Sequence, residues 1–344
     1  MKPSIFVFAN NYQQPYVQQY NLSVEREIAH DTSVMLAYTG VHGSHIQRTR
    51  DINLDPTQTP VTATLTSTGQ TFTYNKFTAA RPNSNFVRIF EFESNSSSIY
   101  NGLSLELNKR FARNFQVLTS YTWSHVIDDR PDATAVVPGT DDGKMVYDPL
   151  HIALDRASGD DDVRNRFIFS GAWQLDNYTR NFSRTTRTIL GGWELSGVFM
   201  AQSGQPYTAV VQAGGRFSFD LNNDGNTRNE RAPGTSRNQF RLPSLYSVDP
   251  RITKNIPITE RAKVQLIAEA FNLFNHQNIT QVKNTLYNTA ANCTTAGSTT
   301  CTLSPNDLAS GAGVNSFGLA SAANVGNNSS NVGRVLQLAA KITF

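Results

Sequence analysis

A short run of oxygen-bearing side chains is the arrangement in this sequence that most resembles a binding site. Asp220, Asn222 and Asp224 stand at every second position, and Gly225 follows at the sixth. This spacing matches the start of a calcium-binding loop, in which oxygen ligands hold the ion and glycine permits the sharp turn. The match ends at the twelfth position, since Glu230 comes one residue early. Asp220, Asn222 and Asp224 are therefore candidate calcium ligands, and an ordinary turn in an exposed loop is the alternative.

The sequence contains none of the residue arrangements on which catalysis usually depends. None of its six histidines belongs to a His-Glu-x-x-His pair, and no third ligand accompanies His42 and His45. Residues 139–145 only partly match a phosphate-binding loop, since the spacing is one residue short and Met145 replaces Ser or Thr. Ser203 lacks the glycine two positions earlier that a nucleophile elbow needs. We therefore expect a protein that is not an enzyme and has no cofactor, calcium apart.

Two further polar clusters favour structural roles. Cys293 and Cys301 lie in one stretch rich in Thr, Ser and Asn. Two cysteines in one polar loop favour a disulfide bond in an oxidising compartment over a metal site, which would need four ligands, and two unpaired thiols are the alternative. Asp160, Asp161 and Asp162 are consecutive. We interpret them as a solvated acidic rim rather than a metal site.

The composition indicates strands with one polar face, joined by long polar loops. Charged residues make up 17% of the 344 residues and hydrophobic residues only 39%, whereas soluble globular proteins have about 25% charged residues. Asn, Thr, Ser and Gln fill the difference, which suits such strands. The net charge of +3 is spread without a basic stripe, which argues against nucleic-acid binding. No apolar run approaches the length of a transmembrane helix.

Nine segments alternate between apolar and polar residues, which predicts long β-strands. In the last one, Leu336, Leu338 and Ile342 fall on one side of an extended chain, and Gln337 and Lys341 on the other. Strands of soluble proteins are typically about 5–6 residues long, whereas a tilted membrane-spanning strand needs about 9–11. The predicted strands are residues 16–28, 33–41, 100–111, 115–125, 163–175, 191–211, 245–256, 262–275 and 334–344, with a short extra strand at 86–92.

The connections between these strands alternate between short and long. Antiparallel hairpins with short turns at one end and long loops at the other are typical of outer-membrane β-barrels, whereas a soluble sandwich has more even loops. Nine strands cannot close such a barrel, and an open edge in lipid leaves backbone groups unpaired. We therefore expect either a tenth strand from residues 2–10 or a segment of a larger barrel.

The alternation also assigns the two faces of the strands. The residues expected to face lipid include Leu105, Val117, Phe169 and Leu195. Those expected to face the lumen include Glu106, Ser120, Ser170 and Glu194. Aromatic residues on the apolar faces would form belts at the membrane surfaces of a barrel, or the core of a soluble protein; they are Tyr20, Tyr38, Tyr121, Trp123, Trp173, Trp193 and Phe344.

Several stretches, taken in order, give a resemblance to a known family. They are YNGL at 100–103, SYTWSH at 120–125, IDD at 127–129, LGGWELSG at 190–197, SGQPY at 203–207, DLNNDG at 220–225 with Arg231, Pro233, Gly234, Arg237 and Asn238, EAFNLFNH at 269–276, and the terminal Phe344. Over most of residues 16–344 the chain resembles the C-terminal part of the β-barrel of Oar-like TonB-dependent receptors. The order and spacing of the stretches carry this resemblance, since no single motif does.

The resemblance implies an all-β, antiparallel, 22-stranded barrel in the outer membrane of a Gram-negative-type bacterium, with long extracellular loops. It implies import of a solute driven by the TonB complex, and insertion by the barrel-assembly machinery, which reads the C-terminal strand ending at Phe344. Residues 1–344 would be the C-terminal portion of the barrel. They contain no plug, TonB box or carboxypeptidase-regulatory-like domain, so coupling to TonB would depend on N-terminal parts outside this sequence.

Two other functions are consistent with the same pattern. One is a passive porin or a structural, adhesive protein of the outer membrane, which a plug encoded upstream would argue against. The other is a soluble all-β binding or adhesion protein, which solubility without detergent would favour.

Overall fold

The computed structural model describes residues 2–78, 80–112, 114–129, 145–175, 183, 186, 189–212, 220–227, 230–259, 262–295, 297–306, 316–323 and 333–344. Its strands are β1 Ile5–Phe8, β2 Tyr16–Ala29, β3 Thr32–Asp51, β4 Gln58–Leu65, β5 Thr71–Phe77, β6 Ile89–Ala112, β7 Phe115–Asp128, β8 Ala157–Ser158, β9 Asn165–Gln174, β10 Trp193–Gln202, β11 Pro206–Tyr207, β12 Val210–Gln212, β13 Phe240–Arg241, β14 Leu245–Pro257, β15 Lys263–Phe271, β16 Ile279–Val282, β17 Thr285–Thr289, β18 Thr300–Pro305, β19 Ala320–Ala323 and β20 Val335–Thr343. Two short 3-10 helices span Ile152–Asp155 and Ala291–Cys293. Within the described ranges, no helix is long and apolar enough to cross a membrane.

Nine strands form one continuous antiparallel sheet, which we call the wall. Its order is β2-β3-β6-β7-β9-β10-β14-β15-β20, so each wall strand pairs with the next wall strand along the chain. The nine predicted strands are therefore confirmed, with different bounds. The extra strand predicted at residues 86–92 is wrong as a separate element, because it is the beginning of the 24-residue β6.

Short turns join β2 to β3, β6 to β7 and β14 to β15 at one end of the wall, where residues 175–192 form a longer connection between β9 and β10. Long connections join the strands at the other end, as the sequence predicts. Asp31, between β2 and β3, has a φ of 58°, and Asn114, between β6 and β7, has a φ of 71°. Asp and Asn adopt this left-handed conformation more readily than most residues. These two residues therefore suit the tight turns in which they lie.

The register places the predicted apolar faces on a single side of the wall. Cross-strand neighbours on this side include Val24 and Leu36, Leu36 and Leu105, Leu105 and Tyr121, Tyr121 and Phe167, Phe169 and Phe199, Leu195 and Ile252, Ile252 and Ala268, and Ala268 and Leu338. Glu106 and Ser120 face each other on the opposite side. Leu338 is 83% exposed, so the apolar side is an outer surface rather than a protein core.

Aromatic residues lie near both limits of the apolar side. Phe115 pairs with Trp173 near the short turns, and Trp123 lies eight residues further along β7. At about 3.4 Å per residue this separation is about 27 Å along the strand. Strand tilt reduces the height to about 20 Å, close to the roughly 25 Å apolar band between the aromatic girdles of outer-membrane barrels.

The two outer strands of the wall each have one edge without a partner among the described residues. β2 pairs only with β3, and β20 pairs only with β15. The expectation that residues 2–10 supply a tenth wall strand is wrong. They contain β1, which runs parallel to Ile89–Phe92 of β6, and its Phe6 ring stacks on Phe90 at 5.1 Å. Packing of phenylalanines thus holds this segment beside the extended part of β6.

The long-loop ends of β3 and β6 continue past the wall as a paired ribbon, which we call the stem (residues 44–51 and 89–98). The register shifts around Ile46, and His45 has a φ of 56°, so a β-bulge marks where the stem begins. Arg48 and Glu93 form a buried ion pair at 3.5 Å. Charged residues whose polarity suggested a loop are thus held in an extended ribbon by pairing with each other.

The long connections fold into a compact body above the wall, which we call the loop cap (the described parts of residues 52–88, 145–164, 203–244 and 272–333). A five-stranded sheet, β12-β17-β18-β4-β5, draws strands from three connections. One hydrophobic cluster lies in it, made of Val61, Ala63, Leu65, Tyr74, Ala209, Val211, Leu221, Ala232, Cys293, Cys301 and Leu303. Interpreting these tracts as polar loops alone was wrong, because three of the four contribute a few apolar residues to a shared core.

The two cysteines form the expected disulfide bond. Cys293 and Cys301 are bonded to each other and are both buried in the hydrophobic cluster of the loop cap. The bond joins the 3-10 helix Ala291–Cys293 to β18. It therefore joins two parts of the last long connection, at the central strand β18 of the cap sheet.

Candidate functional site

Three acidic side chains of the loop cap meet at one point, which we call the acidic cluster. Carboxylate oxygens of Asp220, Asp224 and Glu230 all lie within 4.8 Å of one another. Asp224 is 5% and Glu230 3% exposed, and Asp220 is half-buried. Three carboxyl groups held together away from water are unfavourable unless protons or a cation neutralise them. The acidic cluster is therefore the candidate functional site.

The local sequence forms this cluster through turns made by its own side chains. The backbone N–H of Gly225 donates to Asp220 Oδ2 at 2.8 Å. The N–H of Asp224 donates to Asn222 Oδ1 at 3.0 Å. Gly225 has a φ of 89°, a conformation that glycine adopts without steric cost. Short Asp and Asn side chains favour such turns, so the spacing seen in the sequence has a direct structural consequence.

Neighbouring loops hold the turn in place. The side-chain amide of Asn222 donates to the backbone oxygen of Tyr147 at 3.1 Å, and that of Asn223 donates to the backbone oxygen of Phe77 at 2.9 Å. The backbone N–H of Phe77 in turn donates to the backbone oxygen of Asn222 at 2.7 Å. Three of the four long connections of the cap thus converge on the acidic cluster.

The environment favours neutral forms of these carboxyl groups when no cation is bound. Burial, followed by the charge of Asp220, raises the pKa of Asp224 to about 7. Burial, followed by the charges of Asp224 and Asp220, raises the pKa of Glu230 well above its ordinary value. Burial also raises the pKa of Asp220, despite hydrogen bonds from backbone N–H groups, that of Gly225 first. The cluster therefore lacks enough positive charge and hydrogen-bond donors to stabilise three carboxylates.

Several oxygens of the cluster have no hydrogen-bond partner of normal geometry among the described residues. They are both carboxylate oxygens of Glu230 and Oδ1 of Asp220. The hydroxyl group of Tyr74 is buried without a partner as well. Buried polar atoms in proteins are nearly always satisfied, so these oxygens mark a place where a ligand would bind.

The structure brings together two of the three predicted ligands and adds Glu230, which the spacing did not predict as a ligand. Asp220 and Asp224 lie in the cluster, whereas Asn222 uses its side-chain oxygen within the turn and donates its amide to Asp224 Oδ2 at 3.3 Å. Glu230 enters the cluster although it is one residue early for a helical calcium loop. Its acidic side chain near the end of the loop was the available signal, but its approach depends on the packing of the cap. Calcium binding by these residues stays a prediction.

Arg231, at the position where such a loop would carry its last ligand, has a structural role instead. Its guanidinium donates to Asp155 Oδ1 at 2.6 Å and lies over the ring of Tyr147 at 4.5 Å. Both partners belong to the second long connection. Arg231 thus links two connections of the cap beside the acidic cluster.

The prediction of a solvated acidic rim at residues 160–162 is wrong for Asp162. This residue is fully buried and accepts hydrogen bonds from the backbone N–H of Val126 and from Arg164 at 2.9 Å, and it also pairs with Arg241 and His125. Burial alone would raise the pKa of Asp162, but these hydrogen bonds outweigh it and hold the pKa below its ordinary value. Asp162 therefore joins the wall to the cap as a charged, satisfied group.

The remaining candidates have ordinary surroundings where the structure describes them. His45 contacts the backbone oxygen of Ser94 at 3.3 Å, and His151 pairs with Asp148 at 2.9 Å. Of the rejected phosphate-loop match, residues 139–144 lie outside the described residues. Asp160 accepts from Arg237 at 3.1 Å, so this part of the expected rim is an ion pair.

Comparison with known families gives one match. The sequence matches the outer membrane beta barrel domain family over residues 1–235 and 227–308. No curated protein matches the chain.

Comparison with solved structures gives distant similarities. The ferripyoverdine receptor of the outer membrane of Pseudomonas aeruginosa, solved with bound ferripyoverdine, has a TM-score of 0.42 at 12% identity, covering 85% of this chain and 26% of that chain. The outer membrane transporter YddB from Escherichia coli has a TM-score of 0.42 at 10% identity, covering 85% of this chain and 32% of that chain. The chain thus spans only about a quarter to a third of the length of these proteins.

Proposed function

Because this chain belongs to the outer membrane β-barrel domain family, we propose that it forms part of the wall and outer loops of a TonB-dependent receptor that imports a solute. Its location is the outer membrane, and its apolar side faces lipid. The observation that carries the proposal is a wall with one continuous apolar side, joined by a stem to a folded cap. In this assignment the long-loop end is extracellular, so the cap is the first part of the protein that a solute meets.

The finer assignment to Oar-like receptors rests on the sequence resemblance. It favours import over catalysis, and we propose a non-enzymatic role for the chain. The folded cap supports this role, because a solute receptor needs a defined outer surface and a plain channel does not.

We propose further that residues 1–344 are one segment, the C-terminal portion, of a larger wall. Support comes from β2 and β20, which are both exposed along their whole length. Each presents an edge without a partner among the described residues, and unpaired backbone groups in lipid cost several kcal/mol each. Additional strands between these two edges would form hydrogen bonds with the backbone groups of both.

Three partners follow from this proposal. Membrane lipid contacts the apolar side of the wall. The barrel-assembly machinery reads β20 and the exposed Phe344 that follows it. The TonB complex acts through a plug and TonB box carried by N-terminal parts of the receptor.

Two measurements test the proposed function. The DNA upstream of the codon for Met1 should encode further barrel strands and a plug, and an export signal placed directly before Met1 would contradict the proposal. The complete receptor, purified into planar lipid bilayers, should remain closed, because a plug fills its lumen. Steady ion conductance would instead support a passive porin.

A further inference from the structure

We propose that Asp220, Asp224 and Glu230 bind one calcium ion, which stabilises the turn on which three long connections of the loop cap converge. The site is independent of the proposed import role, since it would exist in any barrel that carries this cap. It differs from the loop expected from spacing alone, because Glu230 replaces Asn222 as a ligand.

The distances within the cluster suit a single ion. Calcium is coordinated by oxygens at about 2.3–2.6 Å, so two oxygens bound to one ion are at most about 5 Å apart. Carboxylate oxygens of the three residues lie within 4.8 Å of one another. One ion between them can therefore contact all three side chains without rearrangement of the backbone.

Glu230 provides a second, independent observation. It is only 3% exposed, and among the described residues neither of its carboxylate oxygens receives a hydrogen bond of normal geometry. The backbone N–H groups of Leu221 and Asn222 lower its pKa, but less than burial and the neighbouring carboxylates raise it. Oδ1 of Asp220 is in the same situation. A purely structural acidic residue would be satisfied by donors, as Asp162 is. Unsatisfied oxygens directed into a shared space are what a cation requires.

The basic side chains nearby do not replace the ion. Arg81 pairs with Asp51 at 3.0 Å, and Lys76 donates to the backbone oxygens of Cys293 and Thr295. Arg88 acts electrostatically on both Asp220 and Asp224. Lys76 also acts electrostatically on Asp220. Two monovalent cations do not balance three carboxylates, so a divalent cation completes the charge of the site.

The donor set favours calcium among the common divalent cations. Zinc prefers nitrogen and sulfur ligands, and the cluster offers only oxygens. Magnesium requires near-ideal octahedral geometry and usually keeps several waters, whereas calcium accepts irregular carboxylate sites. The turn also keeps the Asp-x-Asn-x-Asp-Gly spacing of calcium loops.

Terbium luminescence gives a direct test in the detergent-solubilised full-length protein. Terbium substitutes for calcium, and Tyr74 and Tyr147, both close enough to interact with Glu230, should sensitise its emission. We expect emission that calcium displaces at micromolar to millimolar concentration and that magnesium displaces at least tenfold less well. Absence of emission, or equal displacement by magnesium, would overturn the proposal.

Variants locate the site. Glu230→Gln and Asp224→Asn should each weaken calcium binding at least tenfold by isothermal titration, whereas Asp161→Asn, an exposed acidic residue of the cap, should leave it unchanged. Unchanged binding in the first two variants would overturn the assignment.

If a variant fails to fold, an experiment on the wild-type protein still tests the proposal. Removal of calcium with a chelator should increase proteolysis of the cap, and calcium should restore protection. Equal proteolysis with and without calcium would contradict the proposed role of the ion in the cap.

Discussion

At the scale of single residues, two buried carboxyl groups of the cap show how neighbouring groups determine whether a carboxyl group is ionised. Asp162 is surrounded by donors from Val126, Arg164 and Arg241, which hold its pKa below the ordinary value. Near Glu230 the backbone N–H groups of Leu221 and Asn222 do not offset burial and the charges of Asp224 and Asp220, and its pKa is raised. Both are acidic residues in polar, Asp-rich stretches of sequence. The difference between a structural anion and a candidate ligand therefore comes from the partners that folding supplies.

Replacement of Asp162 by asparagine should destabilise the junction of wall and cap by about 1–3 kcal/mol, because it removes charge-assisted hydrogen bonds from the partly exposed Arg164 and Arg241 to a buried acceptor. Hydrogen exchange of peptides from the cap measures this loss. Asp161→Asn is the matched control, since Asp161 is exposed, and it should change stability little. Equal protection in both variants would contradict the role assigned to Asp162.

The lowered pKa of Asp162 predicts how the stability of the cap depends on pH. Because the pKa of Asp162 is lower in the folded state, its ionised form stabilises the fold above about pH 4, the ordinary range for Asp, and this contribution is lost as the pH falls through the folded-state pKa. Its charged neighbours are His125, Arg164 and Arg241. Hydrogen exchange, corrected for intrinsic rates, should show wild-type protection falling in this interval and a smaller change in Asp162→Asn. Parallel pH profiles would argue against this carboxylate as the cause.

The disulfide bond is a further determinant of cap stability at this scale. Replacing both Cys293 and Cys301 by alanine should cost about 2–3 kcal/mol, since the bond closes a short loop and restricts the unfolded chain. Local stability from hydrogen exchange in β17 and β18 should fall, and a reducing agent should have the same effect on the wild type. A double variant as stable as the wild type would show that packing alone fixes this connection.

At the scale of elements, the alternation of apolar and polar residues gives each wall strand one apolar side and one polar side. Charges on the apolar side lie near the short turns, as Lys254 does, where it contacts the Trp193 ring and the backbone oxygen of Ile189. Long basic side chains at this level reach the membrane surface. On the opposite side, Arg251 and Glu269 pair across strands at 3.1 Å. Lipid thus determines one face of each strand, and hydrogen bonds and ion pairs determine the other.

Neighbouring residues of β9 provide a matched test of this assignment. Phe169 lies midway between the aromatic limits of the apolar side, because it pairs with Thr119, and Ser170 lies on the opposite face. Phe169→Arg should cost about 2–4 kcal/mol more than Ser170→Arg when folding into lipid vesicles is measured. Phe169→Ala separates the loss of the ring from the added charge. Equal costs for the two arginine variants would contradict the assignment of the lipid face.

At the scale of the whole molecule, the distribution of apolar residues is inverted between the two parts. The wall exposes its large apolar side chains to the surroundings, and Leu338 and Phe344 are 83% and 96% exposed. The cap buries its apolar residues around Leu221 and Leu303. Lipid replaces a core for the wall, whereas the cap needs a core of its own because water surrounds it.

Insertion into the membrane tests how the wall is recognised. Removal of Phe344 from the full-length receptor should reduce the amount in the outer membrane, with little effect on refolding in detergent, because its side chain is 96% exposed. Phe344→Tyr keeps an aromatic group for the membrane interface and should insert normally. Cell fractionation measures both, and normal insertion without Phe344 would show that β20 is recognised by other residues.

Expression of residues 1–344 alone tests whether the wall can close into a barrel. Residues 1–344, expressed with an added export signal, should give poorly closed or degraded material, because β2 and β20 both lack a partner among the described residues. Migration on gels with and without heating reports closure. A compact, heat-modifiable species would show that this chain closes a small barrel alone.

The sequence by itself determined the nine wall strands, their faces and the alternation of connections. Alternation such as that of Leu336, Leu338 and Ile342 is a property of a single strand. Because lipid contacts one face of each strand, a strand can be recognised in the sequence without knowledge of its neighbours. The turn at Asp220–Asp224 was predictable for a similar reason, since its hydrogen bonds lie within a few residues. The disulfide was predictable because both cysteines belong to one loop.

Only the tertiary structure decided the cap, the stem and the composition of the acidic cluster. The cap core combines a few apolar residues from each of several long tracts, such as Val61, Leu221 and Leu303, so no single tract carries a recognisable pattern. Asp162 is buried because arginines distant in sequence pair with it, and the approach of Glu230 to Asp220 depends on the fold of the connections around it. Such contacts depend on which loops meet in space, and the spacing of residues within one loop carries no information about them.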